Sequence, residues 1–273
     1  MLNLTDIRAL IIDMDGVLWL DNTPLPGFNP FFEFLHRQAI PYMLATNNAS
    51  KTPDQYVHKL AKMGVKIPLE RVLTSPLATA AYLQREYKRG ATVFVVGQEG
   101  LYEAMRDAGF KIILDISQPA EVVVAGVDFT LTYDKLKYAA LHIQRGARFV
   151  GTNGDVTFPA EEGNWPGAGS ILAALQAATG VKPITIGKPG QLMFDIAVAK
   201  MGSQPEHTAM LGDRLGTDIL GGQRAGLKTI LVTTGIDNET TIRTTGIQPD
   251  AVFSGINQLV EAWRKVPGMM RDT

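Results

Sequence analysis

The residues with most chemical potential fall in four short groups. Asp13 and Asp15 close the aliphatic run Ala9–Ile12 and are followed by Gly16. Thr46, Asn47 and Asn48 close a second apolar run, residues 41–45. Lys188 stands in Gly187-Lys188-Pro189, after residues 183–186, and Asp213 in Gly212-Asp213-Arg214, after residues 208–211, with Asp218 close behind. Residues two apart in a strand share a face, so Asp13 and Asp15 can address one pocket. Two acids beside an apolar run need a cationic partner to offset desolvation, and a divalent metal with oxygen ligands is the simplest. The competing reading is an Asx turn that ends the strand and leaves Asp15 in solvent. Taken together, three acids, a hydroxyl, an amide and a lysine suit a phosphoryl group with Mg²⁺. The ammonium of Lys188 can neutralise phosphoryl charge, and the Thr46 hydroxyl and nearby amides can donate to phosphoryl oxygens. One carboxylate can act as nucleophile, and a second as general acid and then base.

These groups need a frame. The apolar runs predict strands over 9–12, 41–45, 72–74, 92–96, 111–114, 122–125, 148–151, 183–186, 208–211, 228–232 and 251–253. Helical patterns fill the intervals, at 29–38, from Thr52, 75–87, 100–108, 133–144, 170–179, 192–201, 218–224 and 256–264. Thr52, Pro53 and Gln55 form a capping-box start. Gly221-Gly222, inside a helix, points to close backbone packing. Residues 152–167 read as a loop. Strands alternating with helices predict an α/β fold with a parallel sheet covered on both faces. Ligands of such sheets sit at the carboxyl ends of the strands. All four chemical groups fall at predicted strand ends.

Composition removes other classes. A net charge of −1 gives no electrostatic case for nucleic acid or an anionic membrane. Zero cysteines exclude disulfides, thiolate metal sites and Cys nucleophiles. The first residues carry an early acid and no apolar h-region, and no stretch of about 18 apolar residues occurs, so the expected location is cytoplasmic. The triplets at Asn48 and Asn238 then read as chance matches to a glycosylation signal. Lys188 is not in a Walker A loop, since Lys182 stands where Gly is required and Pro189 where Ser or Thr is. Gly167-Ala168-Gly169 fails as a dinucleotide fingerprint. His36, His58, His142 and His207 show no metal spacing and read as surface or packing residues.

The ordered set Asp13-Met14-Asp15-Gly16, Thr46-Asn47-Asn48, Gly187-Lys188-Pro189 and Gly212-Asp213-Arg214-Leu215-Gly216-Thr217-Asp218 resembles the four motifs of the haloacid-dehalogenase-like phosphohydrolases. With Pro166-Gly167-Ala168-Gly169-Ser170, it resembles the branch of 4-nitrophenyl, phosphoglycolate, pyridoxal and nucleotide or sugar-phosphate phosphatases. The resemblance spans essentially the whole chain. It implies a Rossmann-like doubly wound core, residues 1–77 and 182–273, with an inserted α/β cap, residues 78–181. It implies that Asp13 attacks phosphorus through an aspartyl-phosphate, that Asp15 is acid then base, and that Lys188 and Thr46 hold the phosphoryl group. Asn47 would act mainly through its backbone amide, with Asn48 beside it. Mg²⁺ would be held by Asp13, the Asp15 carbonyl, Asp213 and, as ligand or outer partner, Asp218. A homodimer through the cap is also implied.

The cap would close over the leaving group and select it. Its 152–169 segment offers Asn153, Asp155, Glu161, Glu162 and Trp165 as selecting residues, or else is a solvated loop. Those acids favour a leaving group with hydroxyls or an amine. Trp19 and Leu20, after the first motif, touch substrate or simply pack. Two other classes share part of this chemistry. A receiver-type phospho-acceptor uses similar groups but is shorter, lacks a cap and has no second acid. A phosphotransferase or phosphomutase of the same superfamily usually carries a different cap.

Overall fold

The structure is a computed structural model that describes residues 2–160 and 162–266. The chain divides into two compact units, residues 1–46, 57–73 and 194–273 in one, and residues 47–56 and 74–193 in the other.

The first unit is built on a six-stranded sheet. Its order is Ala251–Phe253, Lys228–Val232, Thr208–Gly212, Ala9–Ile12, Tyr42–Thr46 and Val72–Thr74. Ala9–Ile12 pairs in parallel with Thr208–Gly212 and with Tyr42–Thr46, so that Ile12 lies beside both Leu211 and Leu44. Leu10, Ile11, Ile12, Met210, Leu211, Ile230 and Leu231 are fully buried, which explains their unbroken apolar runs: a parallel strand covered on both faces has no polar side to show. From Ala9–Ile12 the chain winds outward through Tyr42–Thr46, then returns to place Thr208–Gly212 on the other side. The winding therefore reverses between two neighbouring strands, and Asp13 and Asp213 lie just past them. The Phe28–Arg37 helix buries Phe31, Phe32 and Leu35, and its Phe34 stacks on Trp263 of the Ile256–Arg264 helix at 5.7 Å. The Trp263 indole N–H reaches the Leu4 carbonyl at 3.0 Å. Gly222 leaves room for its sheet, since a Cβ there would stand 3.0 Å from Met210 Cβ and from Thr229 Cγ2.

The second unit carries a five-stranded parallel sheet. The order is Ile184–Thr185, Arg148–Gly151, Val122–Ala125, Thr92–Val96 and Lys111–Ile113. Its core gathers Phe94, Val123, Ile143, Phe149, Leu172 and Leu175. Thr52 and Gln55 form the expected reciprocal cap, side chain to backbone in both directions, at 3.4 and 3.1 Å.

Several elements differ from the sequence reading. The strand before Lys188 is only Ile184–Thr185 and pairs with Arg148–Gly151, so it belongs to the second sheet, and the second unit runs to Met193 where the insert was expected to end at 181. Residues 152–167 are not simply a loop: Thr157–Ala160 and Gly163–Pro166 pair as an antiparallel hairpin, with Phe158 opposite Trp165. The two prolines hid it, and an isolated ribbon tolerates proline because one edge of each strand needs no ladder bond. The helix Glu239–Thr245 was missed because threonine is a weak helix former; Asn238 supports it by capping Thr240 and Thr241.

Candidate active site

In the first unit, chain geometry collects three acids. Asp13 donates its N–H to the Leu211 carbonyl at 2.9 Å, which continues the ladder one residue past the strand and sets Asp13 beside the end of Thr208–Gly212. Asp213 is the next residue of that neighbour. Asp218 comes back to the same point through the π-helical turn Leu215–Ile219, where its carboxylate accepts the Arg214 N–H at 3.1 Å. One carboxylate oxygen from each of Asp13, Asp213 and Asp218 lies within 4.8 Å of the others, and all three residues are buried. Like charges at that separation repel by roughly 3 kcal/mol per pair at an effective dielectric near 20. Three hard oxygen donors converging in a buried place fit a divalent cation.

A loop that the sequence reading passed over holds this cluster. Past the Lys228–Val232 strand, Ile236 donates its N–H to Asp213 Oδ2 at 2.8 Å, and Asp237 donates its own to the Asp213 carbonyl at 3.0 Å. The Asp237 carboxylate in turn accepts the Leu215 N–H at 2.7 Å. The Thr234 hydroxyl donates to the Gly16 carbonyl at 2.6 Å. The signal available in the sequence was position alone: Thr233-Thr234-Gly235 follows a strand of the same sheet, at its carboxyl end.

Asp15 follows the turn reading, which leaves it exposed, and not the strand reading, which would aim it with Asp13 into one pocket. The strand ends at Ile12, and Gly16, at φ +85°, turns the chain, so strand alternation does not govern Asp15. Asp13 is buried while Asp15 is exposed. Its Oδ1 accepts the Trp19 indole N–H at 2.7 Å. Trp19 is itself fully buried, and begins a small hairpin of Trp19–Leu20 with Thr23–Pro24. Leu20 is half exposed. Thr46 is buried at the end of Tyr42–Thr46. That strand begins with Tyr42, whose hydroxyl burial pushes up to about 12 against the opposing pull of Arg71.

In the second unit Asn47 draws Lys188, Asn153 and Asp155 together. Asn47 Nδ2 donates to the Lys188 carbonyl at 2.8 Å and to Asp155 Oδ2 at 3.0 Å. The Asn47 carbonyl accepts from Asn153 Nδ2 and from the Ser75 hydroxyl, both at 2.8 Å. Lys188 and Asn153 are buried. Asp155 and Asn153 are therefore occupied in fixing Asn47 and the Lys188 backbone, a role the sequence reading did not give them. Asn48 forms an Asx turn, accepting from Ser50 N–H and Oγ. Trp165 stands apart in the hairpin, 42% exposed, edge-on to Phe129 and Phe158. Glu162 is exposed, and Glu161 lies outside the described residues. None of the four histidines joins the acidic cluster.

Comparison with known proteins gives the family. A model described as haloacid dehalogenase-like hydrolase matches residues 10–111, and a HAD-hydrolase-like model matches residues 185–259. The acid sugar phosphatase of Staphylococcus aureus is 36% identical over 258 residues, 94% of this chain and 98% of that one. The 4-nitrophenylphosphatase of Thermotoga maritima superposes with a TM-score of 0.89 at 37% identity, covering 94% of this chain and 98% of that one. A glycerol phosphate phosphatase of Mycobacterium tuberculosis, solved in complex with calcium, superposes at 0.86 with 31% identity, covering 93% and 75%.

Proposed function

The chain belongs to the haloacid dehalogenase-like hydrolases and is a phosphatase, and from that premise we propose that it is a Mg²⁺-dependent phosphomonoesterase of small metabolites working through an aspartyl-phosphate. The observation that carries this reading is the buried convergence of Asp13, Asp213 and Asp218 at neighbouring strand ends. Mg²⁺, when bound there, supplies positive charge against the phosphoryl oxygens and lets the carboxylates stay ionised together.

The chain's own groups then divide the work. A carboxylate oxygen of Asp13 attacks phosphorus, and the bond from phosphorus to the leaving oxygen breaks. Asp15 gives its proton to that oxygen, so an alcohol departs rather than an alkoxide. Asp15, now ionised, takes a proton from water as the water oxygen attacks phosphorus, and the Asp13 acyl-phosphate bond breaks to release phosphate. The Lys188 ammonium, the Thr46 hydroxyl and the Asn47 amide stabilise charge on the transferring group, where most of the catalysis in phosphoryl transfer arises. The inserted segment acts as a cap that chooses the leaving group. With Asn153 and Asp155 engaged at Asn47, selection passes to the hairpin around Trp165 and Glu162. Sugar phosphates, phosphoglycolate, pyridoxal phosphate and nucleoside monophosphates are the substrate classes to test. Among the described residues no helix is long and apolar enough to cross a membrane. We read the enzyme as cytoplasmic and as a homodimer through the cap, which sedimentation checks directly.

The test is phosphate release from 4-nitrophenyl phosphate and this panel, with Mg²⁺ and with chelator. Metal-dependent release by the native protein, and none by a folded Asp13→Asn variant, is the expected result. Turnover by that variant would overturn the assignment of the nucleophile.

A further inference from the structure

Asp15 is exposed, yet its carboxylate is not left to find its own orientation. The Trp19 indole N–H meets Oδ1 at 2.7 Å, at the short end of the N–H···O range. The indole is held on several sides. Trp19 is fully buried, its ring lies 6.4 Å from that of Phe28, and its carbonyl accepts the Gly16 N–H at 2.8 Å. Lys59 stands over the ring, its ammonium 4.2 Å from the centroid, and the same ammonium donates to the Asp21 carbonyl in the turn of the hairpin. Backbone, ring packing and a cation thus fix a donor whose target is the second acid of the first motif.

We propose that Trp19 is a positioning residue for proton transfer, holding Asp15 by Oδ1 and so assigning the transferred proton to Oδ2. The chemistry follows from the indole, which can donate and cannot accept. Oδ1 facing that N–H accepts its hydrogen bond in both protonation states. The proton that Asp15 delivers to the leaving oxygen, and later takes from water, therefore resides on Oδ2. The packed indole fixes the carboxylate plane, and with it the direction in which Oδ2 points. The proposal rests on the reading of Asp15 as general acid and base.

The experiment compares kcat/KM on 4-nitrophenyl phosphate and on unsubstituted phenyl phosphate. Phenol is much the weaker acid, so its departure depends more on a proton from Asp15. Trp19→Phe keeps a ring and loses the N–H. It should lower kcat/KM by about tenfold for phenyl phosphate and by less than about threefold for 4-nitrophenyl phosphate. Trp19→Phe added to Asp15→Asn should cost nothing beyond Asp15→Asn alone. Equal losses on both substrates would mark Trp19 as structural support only, and no loss, or a further loss in the double variant, would equally overturn the proposal. Full activity in Asp15→Asn would instead remove the acid–base reading on which it rests. If Trp19→Phe fails to fold, 3-benzothienylalanine at position 19, which keeps both rings and has no N–H, is judged by the same two ratios.

Discussion

A Cβ on Gly235 would lie 2.0 Å from Oδ2 of Asp213. That is the oxygen to which the next residue, Ile236, donates its N–H at 2.8 Å. The backbone can bring this amide to the carboxylate only because residue 235 has no side chain. Gly16 approaches the same oxygen from the turn after Ala9–Ile12, with a built Cβ at 2.5 Å. We expect Gly235→Ala to push Asp213 out of register with Asp13 and Asp218. The Mg²⁺ concentration for half-maximal activity should rise at least about tenfold, as when an outer support of a metal ligand is lost. A metal titration of the folded variant checks this, and an unchanged midpoint would mean that the loop yields instead of the acid.

Lys188 and Asp155 meet through one side chain, the amide of Asn47. In the proposed mechanism the Lys188 ammonium faces the developing phosphoryl charge, so removing the lysine should cost about 10²–10³ in kcat. Asp155→Ala should lower kcat by about tenfold on every substrate, since it loosens Asn47 rather than a leaving-group contact. A variant that reorders the substrates while keeping kcat on the best of them would return Asp155 to the role of selector.

His142 supplies a pH dependence in the second unit. It is buried, accepts the Ala120 N–H at Nδ1 (3.3 Å), and so carries its proton on Nε2, which donates to the Asp115 carbonyl at 3.0 Å. Burial pushes its pKa below the ordinary 6.5, opposed by the bond to Asp115. The folded state thus favours the neutral ring. Its contribution to stability is complete above about pH 6.5 and is lost as pH falls through the lower, folded value. Thermal unfolding from pH 7.5 to 5 should show a steeper acid decline in the native protein than in His142→Asn, which keeps an acceptor for Ala120 but has no proton to gain. Parallel declines would refute the assignment.

What the sequence determined by itself was local and periodic. The unbroken run Ala9–Ile12 reads as a strand buried on both faces, and the run before Asp213 likewise, so an α/β sheet with acids at its strand ends was legible. The start at Thr52 and Gln55 was legible too, because a cap is made by residues three apart. The tertiary structure alone decided which strands are neighbours. Periodicity reports burial and not the identity of the partner, and the two-residue strand Ile184–Thr185 carries too little pattern to say that it pairs with Arg148–Gly151. The same limit hid the supports of the site. Asn47 meets Asp155 across 108 positions, Asp213 meets Ile236 across 23, and no local rule links residues so far apart in the chain. Even the bond from Trp19 to Asp15, only four positions away, depended on the turn at Gly16 that the strand pattern did not foretell.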